Sequence, residues 1–235
     1  MRYLFIGFIS VLFSSCTPFL DQPNIEYQLG GGAFVVNEGN FLGGNSSLSF
    51  FSYDSLEVFN DLFSSNNSRP LGDVANSMVN FGDNGYIVVN NSGKIEVIDQ
   101  KSFKSKATIS GLVSPRNMAI LNESKAYVTS MYSDSIAILN LYSNTISGYI
   151  NLGKTSEAIV VNGSTAYVSN WLGGNKVFVI NTMLDKVIDS ITVGLEPESL
   201  VLDRYYRLWA LCTGGWQKTQ KAELDLINTG SDRIE

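Results

Sequence analysis

Histidine is missing from the 235 residues of this chain. Its absence removes the most common general base, the most common zinc and haem ligand, and every Ser-His or Cys-His nucleophile. Carboxylates and tyrosines remain as catalytic groups. The sequence nevertheless favours a protein that is not an enzyme and that carries neither a metal nor a cofactor.

Charge is also scarce, since only 16% of the residues are charged, and the net charge is −6. An acidic chain without a basic cluster lacks the electrostatic footprint for a phosphate backbone, so nucleic acid is not an expected partner. In contrast, 44% of the residues are hydrophobic, 11% are aromatic, and 21 are glycine. Few charges, many turn residues and many aromatic rings favour an all-β protein with a sizeable core.

Cysteine occurs only twice, as Cys16 and Cys212. Cys212 ends an apolar segment that is typical of a buried strand, so we expect an inert thiol. If Cys16 is modified as described next, no intramolecular disulfide can form.

The chain begins with the features of an export signal. Arg2 precedes an apolar run over residues 4–13, which is shorter than the about 20 residues that cross a bilayer and matches a secretory signal. The Phe-Ser-Ser-Cys segment that ends at Cys16 resembles a bacterial lipobox. We therefore expect a lipoprotein signal peptide over residues 1–15, lipidation of Cys16, and a tether over residues 16–29. An ordinary signal peptide with an accidental cysteine is the alternative.

One kind of short strand recurs along the rest of the chain, as in Ala-Tyr-Val-Thr-Ser and Ala-Tyr-Val-Ser-Asn. The copies start near 33, 86, 126, 166 and 208, at spacings of 53, 40, 40 and 42 residues. The last four copies are each followed by a strand that ends in an aliphatic residue and then Asn or Asp. Repeats of about 40–45 residues with four short strands are typical of β-propeller blades, whereas stacked solenoids usually have shorter repeats. We expect an all-β partial propeller of four-stranded blades over residues 30–235.

About five blades are present, the first without an evident inner strand and the fifth ending early. An open ring would leave strand edges unpaired, which natural proteins avoid. We therefore expect the chain to be a fragment or the product of a truncated gene. The Ser- and Asn-rich segments 64–68 and 90–92 are predicted to be turns.

Several segments match a known group of propellers. They are the two Ala-Tyr-Val segments, Asn-Glu-Gly-Asn over 37–40, Arg-Pro-Leu-Gly-Asp over 69–73, and Glu-Pro-Glu-Ser over 196–199. Together they resemble YVTN-type β-propeller lipoproteins of Bacteroidota, and the resemblance covers nearly all of the mature chain. It implies seven blades in the full-length protein, so that this chain would be truncated at its C-terminal end.

The resemblance also implies a function. The best-understood branch of this family captures cobalamin at the outer membrane and hands it to a transporter. By this resemblance we expect an outer-membrane lipoprotein, at the cell surface or on the periplasmic side, that is held by its lipid anchor. Its expected partners are a small-molecule ligand, with cobalamin as the specific candidate, and an outer-membrane transporter.

Two sets of turns on one face of the propeller supply candidate ligand-binding residues. Turns between the second and third strands carry an aromatic side chain in four repeats: Phe41, Tyr132, Trp171 and Trp216. Turns that lead into the inner strands carry polar side chains near the central channel: Asn76, Arg116, Asn117, Glu157 and Glu198. An aromatic rim around amides and carboxylates predicts an amphipathic site for a large flat ligand with peripheral amides, such as a corrinoid.

The same residues have other interpretations. Each aromatic ring can instead cover the turn of a neighbouring blade, and each asparagine can satisfy backbone groups of its turn. Glu157 and Glu198 can be solvated charges, ligands of a cation, or an acid/base pair, and Arg116 can hold an anionic group. The alternative functions are an interaction platform on the cell surface and a propeller enzyme, such as a lyase or a quinone-dependent dehydrogenase.

Overall fold

The structure is a computed structural model that describes residues 30–217 and 219–234. The expected signal peptide, Cys16 and the tether lie outside the described residues. Within them the chain forms five antiparallel sheets, each built from strands that are consecutive in sequence. The prediction of an all-β propeller built from blades is confirmed. No helix among the described residues is long and apolar enough to span a membrane.

Each sheet is one blade, and in four blades the strands run in sequence order from the inner strand to the outer strand. Within the described part of the chain, blade 1 contains three strands: β1 Gly32–Asn37, β2 Ser47–Ser52 and β3 Val58–Phe59. Blade 2 contains β4 Ala75–Phe81, β5 Asn84–Val89, β6 Lys94–Asp99 and β7 Ser105–Ser110. Blade 3 contains β8 Pro115–Ile120, β9 Lys125–Ser130, β10 Ser135–Asn140 and β11 Thr145–Asn151. Blade 4 contains β12 Ile159–Asn162, β13 Thr165–Asn170, β14 Lys176–Asn181 and β15 Lys186–Thr192, and blade 5 contains β16 Pro197–Leu202, β17 Leu208–Cys212, β18 Glu223–Asn228 and β19 Arg233–Ile234.

The hydrophobic core is divided among the blade interfaces. Four clusters of buried residues lie between blades 1 and 2, 2 and 3, 3 and 4, and 4 and 5. The second strands β5, β9 and β13 are buried almost throughout because both of their faces pack against other blades. Consecutive apolar residues therefore occur in each of them, followed in β9 and β13 by buried polar residues, whereas the outer strands β7 and β11 alternate between inward and exposed residues.

The turns after the third strands repeat a side-chain bond to the backbone. Asp99, Asn140 and Asn181 each accept hydrogen bonds from the backbone N–H groups two and three residues later. Such bonds stabilise a tight turn locally, which accounts for the Asn or Asp at the end of the third strand in blades 2 to 5. The residue four positions after the strand then takes a left-handed conformation in every blade: Leu56, Phe103, Asn144, Asp185 and Asp232.

One predicted turn is a helix. The segment 64–68 was expected to form a turn, but helix α1 spans Leu62–Asn67 between blades 1 and 2. Leu62 and Phe63 are buried in the interface between these blades, and their burial stabilises a helical turn that the Ser- and Asn-rich sequence does not favour by itself. This insertion explains why the first repeat is longer than the others.

Candidate functional site

Four of the five predicted polar residues lie at the beginnings of inner strands, and the fifth lies in the preceding turn, where all five were expected. Asn76 lies in β4, Arg116 and Asn117 lie in β8, Glu198 lies in β16, and Glu157 stands just before β12. At the start of β4, β8 and β16 the pairing with the second strand shifts register. A bulge of this kind takes a residue out of the regular ladder and redirects its side chain.

One polar residue of each of blades 2 to 5 stands at an equivalent position around the axis. Asn76, Arg116, Glu157 and Glu198 follow one another at spacings of 40, 41 and 41 residues. We call these four residues the axial ring. Pro115 and Pro197 directly precede two of them, at the first position of a strand, where a missing N–H is tolerated.

Arg116 and Glu157 form a bidentate ion pair between blades 3 and 4. Arg116 Nε lies 2.9 and 2.8 Å from the two carboxylate oxygens, and a further guanidinium nitrogen lies 2.8 Å from Oε1. Glu157 is 4% exposed. Its burial raises the pKa of the carboxyl group, the arginine opposes this shift, and the charge of Glu198 adds to it. The ion pair therefore holds a buried carboxylate whose negative charge the site otherwise disfavours.

The two asparagines connect neighbouring blades. Asn76 Nδ2 donates to the carbonyl of Arg116 at 2.7 Å, and Asn117 Nδ2 donates to the carbonyl of Glu157 at 3.1 Å. The amide nitrogens of both asparagines thus satisfy backbone carbonyl groups, which is a structural role. Their amide oxygens accept no hydrogen bond from any described residue, so each retains an acceptor that a ligand can use.

Two neighbouring cavities contain most of the predicted residues. The axial cavity has a volume of about 330 Å³, and four predicted residues line it: Asn76, Asn117, Glu157 and Glu198. The rim cavity has a volume of about 470 Å³, and its lining includes Trp171, Glu198 and Trp216. Glu198 is exposed and lines both cavities. The structure thus brings six of the nine predicted residues together, with Arg116 joined to them through Glu157.

Phe41 and Tyr132 stand apart from this group. Both are strongly exposed, at 71% and 66%, and neither is among the residues that line the two cavities. The rim is therefore formed by the tryptophans of blades 4 and 5 and not by an aromatic residue from four blades.

Sequence reasoning missed three residues of the rim cavity, Glu196, Thr213 and Gly215. Glu196 is buried with a φ of 55°, and its Oε1 accepts the N–H of Gly173 at 3.2 Å. Gly215 has a φ of 91°, and a Cβ there would lie 2.7 Å from the side chain of Leu195. The Gly-Gly-Trp sequence that ends at Trp216 was the available signal, because adjacent glycines often permit a left-handed backbone and close packing.

Other groups offer little chemistry. Cys212 is fully buried, and burial, with a smaller contribution from Asp225, raises the pKa of its thiol to about 12. Such a thiol is protonated at neutral pH and is a poor nucleophile. Within residues 30–217 and 219–234, no group of three or more acidic or cysteine side chains is placed to hold a metal ion.

Similar solved structures share the fold at low sequence identity. A functionally unknown protein from Desulfotomaculum acetoxidans has a TM-score of 0.64 and 16% identity, over 86% of this chain and 67% of that one. A quinoprotein alcohol dehydrogenase-like protein from Bacteroides thetaiotaomicron has a TM-score of 0.60 and 15% identity, over 88% and 50%. Hydrazine synthase from Kuenenia stuttgartiensis has a TM-score of 0.59 and 21% identity, over 65% and 45%.

This chain spans about half the length, or less, of the first solved structures that it matches. Their similarity supports the propeller fold, and the enzymes among them do not make this chain an enzyme. No curated protein matches the chain. A family model described as a domain of unknown function, DUF5074, matches residues 31–230. The chain therefore belongs to the DUF5074 family.

Proposed function

We propose that this protein is a binding protein that holds a small ligand across the axial and rim cavities. The observation that carries the proposal is the shared position of Glu198, which lines both cavities and so places them side by side. Volumes of about 330 and 470 Å³ each lie within the range of about 300–1,000 Å³ that is common for small-molecule sites.

The two cavities complement different parts of a ligand. Trp171 and Trp216 offer apolar ring surfaces in the rim cavity, and Glu198 offers a carboxylate that accepts hydrogen bonds at the junction. The amide oxygens of Asn76 and Asn117 add acceptors in the axial cavity. A flat molecule with donor groups at its periphery matches this distribution. Cobalamin, with its corrin ring and peripheral amides, is the specific ligand that we propose.

Binding is favoured over catalysis by the state of the two carboxylates. Glu157 is engaged by Arg116 on both oxygens, so it is not available as the partner of Glu198 in an acid/base pair.

We also propose that the protein is an outer-membrane lipoprotein anchored through Cys16 and that it passes its ligand to a transporter. Replacing Cys16 with serine should abolish metabolic labelling with palmitate, and unchanged labelling would contradict the anchor.

Titration calorimetry of the full chain with cyanocobalamin tests the ligand. We expect binding at micromolar concentrations or below, and about tenfold weaker binding for Trp171→Ala and for Trp216→Ala, since each removes one ring worth about 1 kcal/mol or more. Tyr132→Ala is the matched control, because Tyr132 occupies an equivalent turn but lines neither cavity. Equal losses for all three variants would reject the rim cavity as the site. No heat at micromolar ligand would reject cobalamin.

A second candidate function is a protein-interaction platform. Turns on the opposite face, between inner and second strands and between third and outer strands, carry exposed apolar side chains: Leu56, Tyr142, Met183, Leu184, Tyr205 and Tyr206. Exposed apolar groups on one face are typical of an interaction surface. Co-purification of a membrane protein with this chain tests the platform. Loss of that protein from the Met183→Ser/Leu184→Ser variant, but not from Trp171→Ala, would favour the platform over ligand capture.

A further inference from the structure

The rim cavity is lined by two kinds of side chain that attract a cation. Its lining contains two indole rings, those of Trp171 and Trp216, and two carboxylates, those of Glu196 and Glu198. No basic side chain is among the described residues that line this cavity. The face of an indole ring attracts a cation, and a cleft whose charges share one sign raises the local concentration of the opposite ion.

Glu196 is a buried carboxylate without a cationic partner among the described residues. Its side chain accepts the N–H of Gly173 at 3.2 Å, and Oε2 lies 3.5 Å from the hydroxyl of Thr213. The two other buried glutamates, Glu96 and Glu157, are each paired with an arginine, whereas no ion pair includes Glu196. A buried charge is costly unless an opposite charge compensates for it. A cation in the rim cavity would provide that compensation.

The backbone does not require a carboxylate at this position. The residue directly before the inner strand has a positive φ in three blades: Val74, Ser114 and Glu196, with φ of 58°, 41° and 55°. The same backbone conformation forms with valine or serine, so the turn does not account for the charge of Glu196. Glu198, which is exposed, also forms no ion pair with a described residue. Both carboxylates of the rim cavity therefore remain uncompensated.

The exposure of the rings favours an organic cation over a metal ion. Trp216 is 88% exposed, so its ring does not cover the turn of a neighbouring blade and remains available to a ligand. Calcium and magnesium take about six or more oxygen ligands, which indole rings cannot provide. A quaternary ammonium group needs no such ligands, because its methyl groups contact aromatic faces while its charge interacts with the rings and with nearby carboxylates.

We propose that the rim cavity binds the quaternary ammonium group of an organic cation. Trp171 and Trp216 contact its methyl groups, and Glu196 and Glu198 balance its charge. The inference rests on the rim cavity as part of the ligand site of the proposed function, but it does not require cobalamin as the ligand.

NMR titration of the full chain with choline tests the site. The matched neutral molecule is 3,3-dimethylbutan-1-ol, in which a carbon atom replaces the choline nitrogen at the same shape. Choline should shift the indole N–H signals of Trp171 and Trp216 with a Kd of about 1 mM or below, and the neutral molecule should bind about tenfold more weakly or worse. Trp209 is the internal control, because its indole N–H donates to Asp203 on the opposite face. Equal affinities for the two molecules, or no shift of the two signals, would overturn the proposal.

Charge-removing variants test the carboxylates. Glu196→Gln and Glu198→Gln should each weaken choline binding about fivefold or more and should change binding of the neutral molecule less than about twofold. Glu123→Gln is the matched control, since it removes the same charge from an exposed turn on the opposite face and should change the Kd for choline less than about twofold. Equal effects of all three variants would show that net charge attracts choline, which would overturn the proposal.

Titration with cyanocobalamin separates this inference from the proposed ligand. Binding of choline without binding of cyanocobalamin would support the ammonium site and reject cobalamin. Binding of cyanocobalamin without a choline-induced shift of Trp171 and Trp216 would overturn the ammonium site and leave cobalamin as the ligand.

Discussion

The interface between blades 1 and 2 differs in chemistry from the interfaces among blades 3, 4 and 5, although the backbone geometry repeats. At each of these interfaces an aromatic residue of a second strand faces the left-handed turn residue of the next blade. Between blades 1 and 2 the contact is apolar, since the rings of Phe34 and Phe103 meet edge to face at 6.1 Å. Tyr127 instead donates a hydrogen bond to Asp185, and Tyr167 donates to Asp232 at 2.8 Å.

The interface between blades 2 and 3 is intermediate. Tyr86 and Asn144 hold the equivalent positions, and Asn144 Oδ1 is buried without a hydrogen-bond partner among the described residues. The left-handed turn is therefore constant, with φ between 52° and 56° from Phe103 to Asp232, while the contact that it supports varies. The repeat preserves a backbone position at which two blades meet, and each interface is stabilised by whichever side-chain pair fits that position.

Among these contacts, the apolar one between Phe34 and Phe103 should be the most sensitive to replacement of a side chain by alanine. Phe103→Ala removes a fully buried ring and should reduce the free energy of unfolding by about 3–5 kcal/mol. Leu56→Ala is the matched control, because Leu56 occupies the equivalent turn position of blade 1 but is 74% exposed, and it should cost less than about 0.5 kcal/mol. Urea denaturation measures both. Similar losses for the two variants would contradict a role for the blade interface.

The sequence predicted this repeat but not the contacts across it. Residues such as Tyr127 and Tyr167 recur at a spacing of 40, and that period determines the blades and the positions of the axial ring. Helix α1 was missed because burial of Leu62 and Phe63 against blade 2 stabilises it, and such a tertiary contact leaves no local pattern.

For the candidate site too, the sequence predicted the positions that follow the repeat but not the contacts of the side chains. Asn76, Glu157 and Glu198 were found because they stand at or just before the beginnings of the inner strands, whose starts lie about 40 residues apart. The aromatic turns vary in length from blade to blade, so period alone did not separate Trp171 and Trp216, which share a cavity, from Tyr132, which does not. Side-chain direction in a turn depends on backbone conformation, which sequence spacing does not specify.

The tyrosine–aspartate contacts should contribute less to the free energy of unfolding than the contact between Phe34 and Phe103. Tyr127→Phe and Tyr167→Phe each remove a hydrogen bond to a carboxylate and should reduce the free energy of unfolding by about 1.5 kcal/mol. Tyr86→Phe is the control and should cost less than about 0.5 kcal/mol, because the Tyr86 hydroxyl makes no hydrogen bond to a described residue. A double-mutant cycle of Tyr127→Phe with Asp185→Asn isolates the pair. A coupling energy near zero would show that the contact is incidental.

The two kinds of interface should also differ in their response to alkali. Burial and hydrogen bonding to the neighbouring aspartate raise the pKa of Tyr127 and of Tyr167 above the usual value of 10.0. A tyrosine whose pKa is raised on folding contributes stability that is complete below its unfolded pKa and is lost as the pH rises above it. Between pH 8 and pH 10 each of these tyrosines should therefore lower the free energy of unfolding by about 0.4 kcal/mol. The Tyr127→Phe/Tyr167→Phe variant should not show this decrease. Chemical denaturation of both proteins at the two pH values measures the difference, and parallel losses would mean that these hydroxyls titrate alike in the folded and unfolded states.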